Sequence, residues 1–298
     1  MNVRILIVTD HFKGLLITTL GVLLVVPDSL FVRLIDADPL ITAFWRGIIA
    51  GGFILVGLLL FQGLSGFKGI LRSGKPGLVY TFLIGSTAPA FVLAVTNTSV
   101  ANVVFIFATI PIFASIFSLV FLKEPIRRNM VVTIFFVLIG LGVIAYGSGY
   151  SEVASWEGDL WALYVSVAFA GALTAVRQVK EISMIPAIPI AYIGSAVLIG
   201  LFYLPLYLPL QEFKQDWYLF LGHGAFIAGA TCLLTLGPRF LSSPEVSLLI
   251  LLESVLAPIL VWWFLGEYPG EWAIAGGALV ILTLIVSNLM LSFSGERQ

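Results

Sequence analysis

The sequence predicts an all-α integral membrane protein with ten transmembrane helices, arranged as two inverted five-helix repeats. Three observations carry that prediction. First, the 298 residues are 60% hydrophobic and only 10% charged, with a mean hydropathy of +1.09. A soluble globular chain is nearer half apolar and a quarter charged, so lipid has to be the solvent. Second, the apolar residues fall into runs near the ~20 residues that cross a bilayer. Ten such runs lie at roughly 13–33, 39–61, 77–97, 100–122, 129–147, 158–177, 186–209, 217–237, 245–266 and 270–291. Third, the chain matches itself: Thr109–Glu124 (TIPIFASIFSLVFLKE) is echoed by Leu252–Glu267 (LESVLAPILVWWFLGE).

The runs are read as helices because backbone groups in hydrocarbon must satisfy one another. Strands of a membrane barrel would be ~10 residues long with alternating polarity, which these runs are not. The first run is too long for the apolar region of a signal peptide, and no A-x-A site follows it, so it is expected to stay as helix 1.

The internal match has a consistent offset. Glu124 falls on Glu267 at 267 − 124 = 143, and Val32-Arg33 falls on Val176-Arg177 at 176 − 32 = 144. Gly14 and Gly158 open those two segments at the same offset of 144. The expected units are residues 1–150 with helices 1–5 and residues 151–298 with helices 6–10. Five is odd, so the second unit must run upside down relative to the first. The charges agree. With the N-terminus inside, the inner connections carry twelve Lys and Arg and the outer ones only Arg33 and Lys214. That is a strong positive-inside bias, and it places both termini in the cytoplasm and the chain in the cell (inner) membrane. Inverted repeats are a device of secondary transporters, with the substrate site near the midplane between them.

Helix 1 carries Pro27-Asp28 near its outer end, and helix 2 carries Trp45-Arg46 about two turns in. At ~1.5 Å per residue Asp28 and Arg46 reach a similar depth, and buried charges are usually paired or face a cavity. They are expected to form an ion pair at the outer mouth of a pathway; the alternative is an Arg46 that snorkels and an Asp28 that caps a frayed end. Gly47, Gly51 and Gly52 give helix 2 a small-residue face for packing. The stretch from Gln62 to Pro76 is read as a basic, Gly-rich connection. Helix 3 contains Pro89 and ends in the polar cluster Thr96–Ser99. Helix 4 opens near Asn102 and has Pro111 at its centre. A proline there frees the carbonyl of Phe107 and bends the helix. Helix 5 lacks charge and is scaffold, as is its counterpart, helix 10.

In the second half, helix 6 carries Trp161 and Tyr164. Helix 8 carries His223, either a hydrogen-bonded packing residue or a proton carrier, and then Thr231 and Thr235. Cys232 is the only cysteine and reads as a small buried hydrophobe. Helix 9 holds Glu253 about eight residues, or roughly 12 Å, above its start, with Pro258 a turn further on. A midplane carboxylate is by default a functional candidate. It would bind a substrate ammonium, carry a coupling proton or hydrogen-bond a neighbouring helix. Trp45, Phe91, Phe105, Phe107, Trp161, Tyr164 and Trp262 are candidates for an aromatic cavity wall with Asn102 and Glu253, through stacking or cation–π contact. Pro89, Pro111 and Pro258 are the candidate bends.

The pattern LxSVLAPxxVWxFLGE with the Gly-rich helix around Ala275–Leu279, and its first-half counterpart FLKEPIRRN followed by Ile139–Val143, resembles the EamA repeat of the drug/metabolite transporter superfamily. The resemblance covers nearly the whole chain. One departure is Glu253-Ser254, where the family usually has Glu-Pro. The resemblance implies a bacterial exporter of amino acids or similar metabolites, working by alternating access.

Other classes fit less well. No GxxxxGK[ST] loop is present, so no nucleotide drives the chain directly. No HExxH or G-x-S-x-G supports an integral-membrane enzyme, and no ring of repeated polar residues suggests a channel filter. A net charge of −1 argues against nucleic acid. Few fixed charges lie along the pathway, which disfavours polyanionic substrates and favours a small net-neutral amphiphile or an organic cation. A proton-coupled uptake permease of the same fold is the closest rival. No cofactor and no metal is expected; the partners are the lipid bilayer and a small-molecule substrate, with the chain a monomer or homodimer.

Overall fold

The computed structural model describes residues 2–98, 103, 106–148, 155–204, 209–266 and 271–295, and these are helices joined by short turns, with no strand among the described residues. The helices are α1 (Asn2–Val25), α2 (Pro39–Phe61), α3 (Lys68–Asn97), α4 (Ile110–Phe117), α5 (Arg128–Ser148), α6 (Trp156–Gln178), α7 (Ala187–Phe202), α8 (Leu210–Leu236), α9 (Ser243–Leu265) and α10 (Glu271–Gly295). Six described apolar segments are long enough to cross a bilayer and four are shorter, which together make the ten. The protein is a multi-pass integral membrane protein. Large apolar side chains such as Phe61 (89%) and Phe202 (83%) stay exposed, a surface that only lipid can cover.

The helix ends follow local chemistry. Asp38 caps α2, accepting from Leu40 N at 2.8 Å, with Pro39 in the first turn. Ser242 and Glu245 form a reciprocal capping box at the start of α9, which satisfies two otherwise orphaned donors. Gly266, at φ +72°, ends α9 in the left-handed conformation that favours glycine.

Four segments differ from the sequence reading. Helix 1 breaks at Pro27, and a short helix, Asp28–Leu34, continues it. The basic stretch read as a connection is mostly helical: a 3-10 turn over Gly63–Phe67 leads into α3, which bends at Gly74 (φ 59°, ψ −144°) just before Pro76. Lipid-facing helices keep their backbone bonds internal, so the helix extends past the apolar run that marked it. Helix 4 is interrupted at Ala108-Thr109, with Pro111 in the first turn of the re-formed helix, and it closes in a π-helical turn over Ser118–Leu122. Helix 7 ends at Phe202 rather than Pro209, and α8 starts at Leu210. Pro89 lies inside α3, where only Gly74 departs from helical geometry, and α9 runs helical through the position of Pro258.

The two halves interleave. α3 packs on α6 as α1 packs on α8; α2 packs on α8 as α7 packs on α3; α4 packs on α6 as α9 packs on α1. The pairs α2–α7, α4–α9 and α5–α10 lie across the same pseudo-two-fold relation. Small residues let the backbones approach. A Cβ on Gly47 would come 2.8 Å from the Tyr192 carbonyl, one on Gly85 2.9 Å from that of Ala191, and one on Gly140 2.9 Å from that of Gly276. The largest buried cluster gathers side chains from α2, α3, α6, α7 and α8, including Ile54, Ile84, Ala172, Ile188 and Ile227. α5, α9 and α10 pack separately around Leu141, Leu251 and Val280. The first cluster surrounds the space described next.

Candidate functional site

A cavity of about 120 Å³ lies inside the bundle, walled by α2, α3, α6, α7, α8 and α9. Its acidic and basic residues are Asp28, Arg46 and Glu253. The break at Pro27 turns Asp28 inward, where it is 2% exposed. Arg46 Nη2 donates to Asp28 Oδ2 at 2.7 Å. The other carboxylate oxygen meets His223 Nε2 at 2.5 Å, so Nε2 carries the proton in this arrangement and donates it. Three helical segments are thereby joined by one carboxylate. The pair sits against aromatic rings: Arg46 lies 5.9 Å over Phe91, and Phe31 stacks on His223 with centroids 5.4 Å apart.

Glu253 is placed differently. It is half-buried at the cavity wall and makes no hydrogen bond or ion pair with any described residue. It stands within electrostatic reach of Asp28 and Arg46. Around it the wall is aromatic and hydroxylic. Phe91, Phe107 and Phe169 line one part. Tyr80 bonds Thr235 at 2.7 Å, and Tyr192 bonds Thr231 at 2.7 Å. Such a surface has one carboxyl group without a partner among the described residues, flat apolar faces and neutral hydroxyls, which together suit a small amphiphile carrying a cationic amine.

The structure therefore brings Asp28, Arg46, Phe91, Phe107 and Glu253 together on one cavity. His223 is fully buried behind Asp28 and does not line it. Four candidates lie elsewhere. Trp45 packs outside the cavity, donating from Nε1 to the Pro209 carbonyl at 3.0 Å with its ring 4.5 Å from Phe213. Trp161 and Trp262 are each 41% exposed on the outside of the bundle. Tyr164 opens onto an outer groove between α3, α4 and α6, and donates to Ser86 at 2.7 Å. The physical reason is rotational: an aromatic residue at the right height still has to be on the inward side of its helix. Asn102 and Phe105 lie outside the described residues. Tyr80 and Tyr192, absent from the sequence candidates, were signalled by chemistry alone, since a tyrosine hydroxyl mid-span needs a partner. Thr231 and Thr235, four apart on one face of α8, supply both partners.

Ten apolar helices, interleaved as inverted repeats about an inner cavity with few charges, define a membrane transporter. Comparison with known proteins gives the family. The profile of the EamA-like transporter family matches residues 12–146 and again 156–289, and the chain belongs to that family within the drug/metabolite transporter superfamily. A curated relative, the pseudopaline exporter CntI of Pseudomonas aeruginosa (strain UCBPP-PA14), is 25% identical over 243 residues, covering 81% of this chain and 83% of that protein. A solved crystal structure shares the fold at a TM-score of 0.76 with 19% identity, covering 94% of this chain and 98% of that one.

Proposed function

We propose that the protein moves a small, net-neutral or cationic amphiphile, an amino acid or a related metabolite, out of the cytoplasm by alternating access. The observation that carries the reading is Glu253: a carboxylate on the cavity wall with no partner among the described residues, on a wall that also carries aromatic rings. Leaving an ionised group unpaired in a membrane interior is costly, and a substrate ammonium or a coupling proton removes the cost. Asp28 differs, since Arg46 and His223 already occupy it. In this reading the Asp28–Arg46 pair shapes the outer mouth of the pathway, and its opening would accompany release. Export is favoured by the relative named as an exporter. A proton-coupled uptake permease is the second reading, and Glu253 would then serve as the proton carrier.

Thermal stabilisation of the purified protein by a panel of amino acids and amines tests the site, because a ligand that binds the native state raises its apparent stability by mass action. A ligand present at ~100 times its Kd adds about 2.7 kcal/mol. Glu253→Gln is expected to abolish the shift for amine-bearing ligands and to leave folding intact. A full shift in the Gln variant removes Glu253 from the binding site. Accumulation of the same ligand in intact cells, with and without the protein, then decides direction.

A further inference from the structure

Two cavities lie back to back at the end of the bundle that carries the excess of Lys and Arg. The central one reaches Val176 and Pro238. The next residue in each segment, Arg177 and Arg239, lines a second cavity of about 480 Å³ with Glu124, Arg127, Lys180 and Glu245. The partition is therefore one residue thick where α6 ends and α8 turns.

The Arg177 side chain bridges three segments of that partition. Arg177 donates from Nε to Glu124 Oε1 at 3.1 Å and from Nη1 to the Pro238 carbonyl at 3.0 Å. The planar guanidinium fork makes two differently directed bonds possible. It joins the segment after α4, the end of α6 and the turn after α8. That turn is also seated on α1: a Cβ on Gly237 would come 2.5 Å from Thr18 Oγ1. The hold is incomplete. Glu124 Oε2 and Ser118 Oγ are buried without partners among the described residues, so Glu124 is engaged through one oxygen and lacks the bidentate geometry of the strongest Arg–carboxylate pairs. The ion pairs of Glu245 at this end, with His11 at 3.6 Å and with Arg127 at 3.9 Å, are longer, and Arg239 Nε adds a bond to the Lys180 carbonyl at 2.8 Å.

We propose that Arg177 is a positioning residue for transport. Its two bonds close the central cavity toward the basic end, and breaking them joins the two cavities into one path to Glu253. The proposal rests on the transporter reading for its purpose, and on the two bonds for its geometry.

Sided thiol labelling tests it. Cys232→Ala removes the only cysteine, and Thr235→Cys places a thiol on the central cavity wall. A membrane-impermeant maleimide is applied to inverted vesicles, which expose the basic end on the positive-inside reading, and to intact cells. Arg177→Gln and Glu124→Gln are each expected to speed labelling about tenfold in the vesicles and to leave the rate in cells unchanged, as a shift in the population of open states requires. Arg177→Lys, a point charge without the fork, should fall between. An unchanged vesicle rate in Glu124→Gln, or equal acceleration on both sides, overturns the proposal. If Arg177→Gln fails to reach the membrane, Glu124→Gln carries the test alone. No substrate is present in the assay, so its outcome is independent of whether Glu253 binds an amine.

Discussion

Asp28 shows what a single residue does in this fold. Its carboxylate accepts from Arg46 and from His223, all three being buried. Removing one member of a buried charge pair leaves the other uncompensated, which costs about 3–5 kcal/mol. Asp28→Asn and Arg46→Gln are each expected to lower stability by that order, measured by thermal unfolding in detergent. The double variant leaves no orphaned charge, so its loss should be smaller than the sum by about 1–3 kcal/mol. Strict additivity would mean that the two groups do not act as a pair. The pairing of Asp28 with Arg46 was legible because both sit at matching depth on adjacent helices, and charge in lipid seeks charge. The third member was not legible. His223 is 195 positions away from Asp28, and only the packing of α1 on α8 brings them together.

Individual helices were read correctly where apolar length decided the matter and misread where backbone chemistry did. α2, α6 and α9 match their apolar runs within two residues at each end. The stretch Gln62–Pro76 looked like a loop because it is rich in Gly and Lys, yet after a turn at Gln62 and Gly63 its backbone is helical up to Gly74. Periodicity also failed to say which side of a helix faces inward, which is why Trp161 and Trp262 stand outside the bundle. Glycine is more informative once its neighbours are known. Gly47 and Gly52 belong to one face in sequence, but a Cβ on Gly47 meets the Tyr192 carbonyl at 2.8 Å while one on Gly52 meets nothing within 4 Å. Gly47→Ala should therefore destabilise the α2–α7 contact by about 1–3 kcal/mol. Gly52→Ala should be neutral or stabilising by up to about 1 kcal/mol, through reduced freedom of the unfolded chain. Thermal unfolding of the two variants side by side checks the contrast; equal losses would show that helix 2 is not held by close approach at Gly47.

The whole molecule is governed by an odd number of helices repeated once. An odd repeat must invert, and inversion turns every contact at one end of the bundle into a related contact at the other. The first glycines of the two repeats show this in atoms. A Cβ on Gly14 would meet Phe240 Cβ at 2.6 Å, and one on Gly158 would meet the Asn97 carbonyl carbon at 2.6 Å; each opens its repeat against the end of the third helix of the other. Inversion also explains why Lys and Arg divide so unevenly, since equivalent connections face opposite sides and cannot keep the same charges. The topology that follows is specific. Alkaline phosphatase, active only outside the inner membrane, should be active when fused after Ser148, at the end of α5, and inactive when fused after Gln178, at the end of α6. A green fluorescent protein at the C-terminus, which matures only in the cytoplasm, should fluoresce. The first fusion and the C-terminal one are decisive together, because they read whether the second repeat ends on the side opposite to its start. An inactive phosphatase after Ser148 with a fluorescent C-terminus would give the second repeat an even number of crossings. The halves would then be parallel, and the interleaved pairing of α1 on α8 with α3 on α6 would lose its physical origin.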